Sequence, residues 1–519
     1  MTFGRALALL ACLPTAFAAF GITTSGSNML VDSGAGLVTT INTANGDITS
    51  LNFNSVQLQD SSKFTQLSSG LGSATVTSTV DNDIAVVTIK TDTITHYYIV
   101  RSGENTLYIG TFASAEPTVG ELRLIARLNK ANLPNGTPES DVEGGQAIEG
   151  SDVFLVDGQT RSKFYSSVRF IEDQVHGATG DSVGAFMIIP GTGYETSSGG
   201  PFFRDIDNQG SAQQEVYFYM NSNHEQTEAY RTGFFGPYAL VFTDGTAPSG
   251  DLDTSFMDDL GLEGYVAAAD RGTVTGTYSG TLEDIPVTIG FKNDDAQYWA
   301  SGSSGSFSGP AMRPGTYDVT LYQGELEAGT GTVTISAGGT ANVDLESTLD
   351  TPDVIWNIGT VDGTPAGFLN ADLIEHMHPS DSRMNSWGPI TFTIGSDDES
   401  AFPMAQFLAV NNPTTIAWTA TSDQIGKTLR IRTTSAFAGG RPQITVNDFT
   451  SDIPAAPTAV DSRGVTRGTW RGINQVYDYD IPEGTLVAGD NTITISTVSG
   501  SSGDDFLSPN YVYDSVELF

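Results

Sequence analysis

The sequence predicts an all-β protein, and three observations carry that prediction. Val, Thr, Ile, Tyr and Phe alternate with polar residues in short runs, as at residues 75–80, 85–91 and 492–498. Turn-forming residues separate these runs, and the 58 glycines of the chain suit many tight turns. Helical periodicity is nearly absent, and residues 253–260 are the best candidate for a short helix. Packed sheets are the simplest way to bury such strands.

Length and composition breaks predict three domains. At roughly 100 to 200 residues per domain, a chain of 519 residues holds about three. Breaks rich in Gly, Pro, Ser, Thr and Asp place the boundaries so that residues 19–249, 250–347 and 348–519 form separate domains. The strand pattern of the second piece predicts an immunoglobulin-like or fibronectin type III-like sandwich. The length and strand count of the third predict a jelly roll of the carbohydrate-binding type.

The first 18 residues predict export. Arg5 precedes an apolar run, and Ala16-Phe17-Ala18 forms an A-x-A cleavage site. This is the pattern of a signal peptide, 1–18, rather than of a membrane anchor. No later stretch approaches the roughly 20 continuous apolar residues that a membrane helix needs. We therefore expect a secreted, extracellular protein with no membrane partner.

The charge balance excludes nucleic acid as a partner. The chain carries 61 acidic against 23 basic side chains, a formal net charge of -38. Binding a nucleic acid requires a basic surface that neutralises phosphates. If the substrate is itself a polyanion, the few basic groups must be concentrated in one cleft.

Lys163 is one candidate for chemistry. It is one of only six lysines in the chain and lies next to Phe164 and Tyr165, with Arg161 two residues away. An ordinary explanation is a surface lysine whose stem covers the aromatic rings.

A second group of candidates rests on strand alternation. Arg123 and Arg127 share one face if they lie on a strand, as do Tyr217 and Tyr219. His224 follows at the end of the second of these strands, where loops carry function. The ordinary alternatives are arginines that pair with glutamates and a histidine with a structural role.

Several longer motifs resemble segments of the fungal rhamnogalacturonan lyases of the three-domain kind, and the resemblance runs along essentially the whole mature chain. They are Arg123-x-x-x-Arg127, Ser151-Asp-Val-Phe-Leu, Arg161-Ser-Lys-Phe-Tyr-Ser-Ser167, Ser198-Gly-Gly-Pro-Phe202, Tyr219-Met-Asn-Ser-Asn-His224, His378-Pro-Ser-Asp-Ser-Arg383 and Gly439-Gly-Arg-Pro-Gln443. The resemblance implies a large β-sandwich catalytic domain followed by a fibronectin-like domain and a jelly-roll domain.

The resemblance also implies roles for individual residues. In that family a lysine acts as base and a histidine as acid, which by motif fall on Lys163 and His224. The residues implied to hold the substrate are Arg123, Arg127, Tyr217, Tyr219 and, from the third domain, Arg463. The implied substrate is the acidic pectin backbone rhamnogalacturonan I, and the implied protein is a monomer that needs no cofactor for catalysis.

Elimination chemistry makes the same demands. The reaction removes the proton at C5 of galacturonate, which is weakly acidic because it adjoins an ionised carboxylate. Arginines can absorb the developing enolate charge through bidentate hydrogen bonds. Axial O4 and H5 lie on opposite faces of the ring, so anti elimination needs a base and a separate acid. Tyrosines can stack on sugar faces.

Two other functions stay open from the sequence alone. A pectin-active glycoside hydrolase would use two of the many carboxylates. A non-catalytic pectin-binding protein would bind without creating new chain ends. An unsaturated product separates the lyase from both.

Metal binding and glycosylation are secondary expectations. His376-x-His378 lacks the further ligands that zinc wants, whereas acidic clusters such as Asp397-Asp-Glu399 leave a structural Ca²⁺ site open. Asn135-Gly-Thr137 is an acceptor for N-glycosylation in a surface turn.

The single cysteine gives the first testable prediction. Cys12 lies in the predicted signal peptide, so the mature chain should hold no thiol and no disulfide. Reductant should therefore leave the thermal unfolding midpoint of the secreted protein unchanged. A midpoint that depends on reductant would contradict the prediction.

Overall fold

The protein is built from β-sheets along its whole described length. A computed structural model describes residues 19–116, 121–224, 228–457, 461–469 and 472–519. The predicted signal peptide lies outside these ranges. No helix within them is long and apolar enough to cross a bilayer. The all-β prediction is confirmed.

Within the residues that the structure describes, the first domain contains four sheets. The seven-stranded sheet has, in spatial order, Val175–Thr179, Gly184–Ile188, Gly233–Thr243, Thr106–Ala113, Ile94–Arg101, Ile84–Lys90 and Thr75–Asp81. The five-stranded sheet has Gly21–Ser25, Asn28–Asp32, Leu37–Asn42, Ile48–Phe53 and Val56–Gln57. The four-stranded sheet has Asn208–Gly210, Gln214–Asn221, Leu122–Leu128 and Gln66–Leu67. The small sheet has Gln146–Glu149, Val153–Val156 and Gln159–Ser162.

One core joins the three larger sheets into a sandwich. It takes Val87 and Tyr98 from the seven-stranded sheet, Ile41 from the five-stranded sheet, and Leu124 and Phe218 from the four-stranded sheet. Alternate residues of each strand face this core because side chains on a strand point to opposite sides. The four-stranded sheet therefore has a second face, which carries a separate small cluster of buried side chains.

The outer face of the seven-stranded sheet is covered by the chain that leads to the second domain. Met257 and Leu262, which follow the predicted boundary at residue 250, pack with Tyr97 and Tyr108 of the sheet. The helix expected at 253–260 is a 3-10 helix, Ser255–Asp259. Its apolar residues find their burial against the first domain.

The second and third domains are each made of two sheets. In the second, Thr273–Ser279 pairs with Ser306–Ser308, Thr340–Asn342 and Leu345–Glu346, and the other sheet has Gln297–Ser301, Val287–Lys292, Gly315–Gln323 and Leu326–Ile335. In one sheet of the third domain, Asn510–Leu518 pairs with Trp356–Ile358, Ala405–Phe407 and Thr428–Phe437. Thr428–Phe437 also pairs with Gln475–Asp480. The last sheet has Ile390–Thr393, Thr414–Ala420, Gly489–Val498, Arg441–Val446 and Phe449–Thr450.

Helical structure is confined to single turns. The 3-10 helices besides Ser255–Asp259 are Pro138–Ser140, Lys163–Ser166, Ala268–Asp270, Glu399–Ala401 and Asp505–Leu507. The one α-helical turn in the described residues is Gly464–Arg467. Lys163 begins the turn Lys163–Ser166, and Arg467 ends the turn Gly464–Arg467.

Buried carboxylates fix the domains to one another. The Glu195 carboxylate of the first domain accepts hydrogen bonds from Arg271 at 2.7 and 3.0 Å, from Arg313 at 3.0 Å and from the Tyr298 hydroxyl at 2.7 Å. All three partners lie at or beyond the start of the second domain. A buried charge is tolerated when it is fully paired in this way, and it is costly when a partner is lost.

Asp514 ties the third domain to a loop that packs on the second. Its Oδ1 accepts hydrogen bonds from the backbone N–H groups of Asp362, at 3.2 Å, and Gly363, at 2.9 Å. Gly363 has a positive φ of 78°, and a Cβ there would lie 2.7 Å from the backbone nitrogen of Leu326. Glycine is therefore needed for this loop to approach the second domain.

Asp514 should make stability depend on pH. Burial, together with the charge of Asp362, raises its pKa from 3.8 to about 7. The folded state then favours the protonated acid, so its contribution is fully present below about pH 3.8 and is lost as pH rises to about 7. Asn accepts the same two hydrogen bonds and cannot ionise. We expect Asp514→Asn to gain stability over wild type as pH rises from 4 to 8, measured by urea unfolding.

The exposed variant Asp452→Asn is the control, since it removes a charge without a buried partner. Parallel pH dependences of unfolding for wild type and Asp514→Asn would show that Asp514 does not titrate in this range.

Candidate active site

The outer face of the four-stranded sheet carries most of the candidate residues. Leu122–Leu128 and Gln214–Asn221 run antiparallel, with Arg123 opposite Tyr219 and Arg127 opposite Glu215. Tyr217 and Tyr219 stack with ring centroids 5.6 Å apart. Residues at even positions of Leu122–Leu128 are fully buried in the core. The alternation of each strand thus places the arginines and tyrosines together, as the sequence predicts.

Arg123 is at the centre of this face. Its Nη1 donates to the Tyr219 hydroxyl and pairs with the Glu121 carboxylate, both at 2.5 Å. Its guanidinium lies 5.3 Å from the ring centroid of Tyr219 and 6.0 Å from that of Tyr217. Burial works against the charge of Arg123, but Tyr219, Glu121 and Tyr217 outweigh it and hold the pKa of Arg123 above its ordinary value. The site therefore keeps one firmly charged guanidinium.

Arg127 lies four residues further along the strand, about 13 Å away at the usual rise per residue. Its Nε donates to Glu215 at 3.2 Å and its Nη1 to the carbonyl oxygen of Phe64 at 3.1 Å. Glu215 also accepts from the Tyr217 hydroxyl at 2.7 Å. Arg123 and Arg127 thus share a face of the sheet but have separate partners, so they do not bind a single carboxylate together.

His224 sits beside Arg123. Its Nδ1 is 3.0 Å from Oδ1 of Asp205, a carboxylate that is 2% exposed, and its Nε2 is 3.5 Å from Glu121. Its ring meets Tyr219 at 5.4 Å and Phe164, edge to face, at 5.3 Å. Asp205 orients the ring, and Nε2 faces Glu121, which also pairs with Arg123.

Lys163 reaches the same place from another element. It begins the 3-10 helix Lys163–Ser166, whose N-cap Ser162 accepts a hydrogen bond from the Phe164 N–H. Its Nζ is 3.2 Å from Oδ1 of Asp152 and 5.6 Å from the centroid of the Phe164 ring. The Phe164 ring therefore lies near both Lys163 and His224. The two side chains thus come from different elements of the first domain.

The third domain contributes two arginines. Arg463 Nη1 is 3.4 Å from the Glu149 carboxylate, and its side chain is 36% exposed. Arg467, which the sequence analysis did not single out, is 2.9 Å from Asp152 and has its guanidinium 5.4 Å from the Phe164 ring centroid. The structure therefore brings five of the seven predicted residues together, with Arg463 at the edge of this group and Arg127 about 13 Å along the strand from Arg123.

Sequence reasoning missed the acidic half of the site. Each predicted cation has a carboxylate partner from this chain, and the partners are Glu121, Glu215, Asp205, Asp152 and Glu149. With 61 acidic residues to choose from, the sequence had no signal that marked these five. Asp152 stands in the quoted motif Ser151-Asp-Val-Phe-Leu, but nothing there assigned it a partner.

One carboxylate–histidine cluster lies close behind the site. Asp173, His176 and Asp207 have ligand atoms within 4.8 Å of one another. Both nitrogens of His176 are engaged, with Asp173 at 2.7 Å and the Tyr217 carbonyl oxygen at 2.6 Å. Asp173 also accepts from the Tyr194 hydroxyl at 2.5 Å. These contacts fit a hydrogen-bonded support for Tyr217, because they leave His176 no free lone pair for a metal.

Comparison with known proteins identifies similar chains over the full length. Residues 20–264 match the family described as rhamnogalacturonan lyase B, N-terminal, and residues 270–343 and 354–518 match domains II and III of polysaccharide lyase family 4. Rhamnogalacturonate lyase A of Aspergillus aculeatus is 53% identical over 512 residues, 97% of each chain. That of Emericella nidulans is 52% identical over 510 residues, and the probable rhamnogalacturonate lyase A of Aspergillus flavus is 52% identical over 510; both alignments cover 97% of this chain and 96% of the relative.

The contact between Asp205 and His224 should fix the tautomer of the neutral ring. A carboxylate accepts only, and Asp205 lies closer to Nδ1, at 3.0 Å, than Glu121 lies to Nε2, at 3.5 Å, so in the neutral ring Nδ1 carries the proton. In Asp205→Asn the amide can donate or accept, and we expect a mixture of tautomers. The nitrogen chemical shifts of the histidines at alkaline pH measure this, and the chain has only five histidines.

His176, which keeps its own carboxylate partner Asp173, is the internal control. An unchanged His224 tautomer in Asp205→Asn would show that Asp205 does not set the ring.

Proposed function

Because the chain belongs to the rhamnogalacturonan lyases of polysaccharide lyase family 4, we propose that it cleaves rhamnogalacturonan I by β-elimination. The bond broken is the rhamnose-α-1,4-galacturonate bond, and an unsaturated galacturonate remains at the new non-reducing end. The observation that carries the proposal is the convergence of Lys163, His224 and Arg123 around Phe164 and Tyr219.

The first step concerns the galacturonate carboxylate. Arg123 binds it and stabilises the negative charge that develops when C5 loses its proton. Arg is suited to this because its planar fork matches a carboxylate and its charge is permanent. Tyr217 and Tyr219 are both buried, and their rings pack against the guanidinium. Arg127 lies too far along the strand to share this carboxylate, so its part is to bind a neighbouring sugar.

The proton transfers are divided between two residues. Lys163, as the free amine, takes H5, and the C5–H electron pair becomes the second bond of C4=C5. The C4–O4 bond breaks with its electrons going to O4, and His224 delivers a proton to that oxygen. Asp205 holds the His224 ring while this happens. The reaction is balanced without water or cofactor, since the proton lost from C5 is matched by the one gained at O4.

Glu121 has a particular place in this proposal. Its carboxylate lies against both Arg123 and His224, the two groups that the substrate needs. It occupies the position that a galacturonate carboxylate would take on Arg123. When substrate binds, its carboxylate replaces that of Glu121 on Arg123. The guanidinium therefore has a carboxylate partner before and after binding and is never desolvated without one.

The remaining expectations are also part of the proposal. The protein is secreted after removal of residues 1–18 and acts as a monomer on the pectin polysaccharide, with no cofactor needed for catalysis. Asn135 is exposed, which supports its use as a glycan acceptor. A structural Ca²⁺ site stays open, although Asp397 and Asp398 use their carboxylates to hold the nearby backbone.

Replacement of Lys163 tests the proposal most directly. Lys163→Ala removes the base but leaves the arginines and tyrosines, so we expect kcat to fall about a hundredfold or more while rhamnogalacturonan fragments still bind. Initial rates follow from the absorbance of the C4=C5 double bond, and fragment affinity follows from calorimetry at the same pH.

Lys130→Ala is the matched control, because Lys130 also pairs with carboxylates of the first domain, Asp141 and Glu143. It should turn over like wild type. Wild-type protein that cleaves the polymer without an absorbing product would show hydrolysis and not elimination. A Lys163→Ala rate within a few-fold of wild type would remove Lys163 as the base.

A further inference from the structure

A single carboxylate connects Lys163 with the third domain. Asp152 lies just before the strand Val153–Val156, and its Oδ1 is 3.2 Å from Lys163 Nζ. Its Oδ2 is 2.9 Å from Nη2 of Arg467, at the end of the helical turn Gly464–Arg467. The side chains of Asp152 and Arg467 are 19% and 14% exposed, so both are largely removed from water. Each oxygen of Asp152 therefore serves a different cation.

A second carboxylate anchors the same arginine. The Glu149 side chain is 2% exposed, and the basic side chains paired with it all come from the third domain: Arg463 at 3.4 Å, Arg467 at 3.6 Å and His378 at 3.4 Å. Burial opposes its charge, but His378, Thr466 and Arg463 outweigh it and lower the pKa of Glu149. A carboxylate this buried would be strongly disfavoured without the third domain, because its partners would be missing.

The backbone of the third domain is shaped for this approach. Gly468 ends the helical turn with φ of 76°, and a Cβ there would lie 2.7 Å from the Tyr165 ring and 2.8 Å from the Glu375 carbonyl oxygen. Tyr165 is the second residue after Lys163. Glycine therefore allows the turn to lie directly against the element that carries Lys163. The Arg467 guanidinium then rests 5.4 Å from the Phe164 ring centroid.

The aromatic side chains of the described part of the third domain are mostly withdrawn from its surface. Trp356 and Trp418 are buried in its core, Trp387 is half-buried against that core, and none of its described aromatic side chains is fully exposed. Sugar-binding modules commonly stack sugars on exposed rings. Arg467 lies on the surface of this domain that places charged groups next to the candidate catalytic residue Lys163.

We propose that Arg467 is a positioning residue for Lys163 and acts through Asp152, so that the third domain completes the catalytic cleft. By occupying Oδ2, Arg467 fixes the Asp152 carboxylate and divides its charge between two cations. Lys163 is then held beside Phe164 by the remaining oxygen, Oδ1, alone. This inference rests on the proposed role of Lys163 as base.

A double-mutant cycle tests the path through Asp152. Arg467→Gln should lower kcat about tenfold or more and leave KM for rhamnogalacturonan within about twofold, because a positioning residue does not bind substrate. In an Asp152→Asn background the same change should cost less than about twofold, since the shared partner is already altered. Arg467→Lys, which keeps a charge within reach of Asp152, should recover part of kcat.

Arg441→Gln is the matched control. Arg441 belongs to the third domain and donates to the backbone oxygens of Pro454 and Gly439, away from the first domain. It should leave kcat unchanged, while thermal unfolding of every variant reports whether the fold survives. If Arg467→Gln does not fold, the cycle is run with Arg467→Lys, whose smaller loss must also vanish in Asp152→Asn.

Independent effects of the two substitutions would overturn the inference, as would a rise in KM with kcat unchanged, which would make Arg467 a substrate-binding residue. These outcomes differ from failure of the proposed function. If Lys163→Ala stays inactive while the cycle is additive, only the role of Arg467 falls. If Lys163→Ala is active, the proposed function falls with it.

Discussion

The antiparallel pairing of Leu122–Leu128 with Gln214–Asn221 is the constraint on which the candidate site depends. Its register sets Arg123 opposite Tyr219 on the outer face while Leu124 and Phe218 fill the core. A slip of one residue would turn the arginine inward and a core leucine outward. The large cost of burying that charge fixes the register, and the register fixes where the substrate carboxylate can bind.

The chain is strongly acidic, and so is its substrate. In the site, the basic side chains are paired with carboxylates of the protein rather than left as unpaired positive charges. Arg123 has Glu121, Lys163 has Asp152 and Arg463 has Glu149. Pairing lowers the cost of desolvating each cation inside the cleft. It also means that a substrate carboxylate must compete with carboxylates of the protein. Electrostatic attraction at long range is therefore weak, and recognition depends on contacts inside the cleft.

Buried carboxylates also join the three domains, which lack disulfides in the part of the chain that the structure describes. Glu195 binds arginines at the second domain, Glu325 binds Arg169 at 3.1 Å and Arg204 at 3.3 Å, and Glu149 faces the third domain. Each is stable only while its partners from another domain are present. The carboxylate–arginine pairs that join the domains thus include those of Glu149 and Asp152, beside the candidate site.

The sequence by itself determined the all-β class and the members of the outer face. Strand alternation is a local property, so Arg123 and Arg127, like Tyr217 and Tyr219, could be placed on common faces without knowing the fold. The role of Lys163 as base came from resemblance to a family, and its place on a 3-10 helix came only from the structure, since periodicity says nothing about such turns. Only the tertiary structure decided the partners: Asp205 for His224, and Asp152 shared by Lys163 and Arg467. Arg467 is 315 residues from Asp152 in the chain, and contacts of that kind depend on how domains pack, which no local pattern encodes.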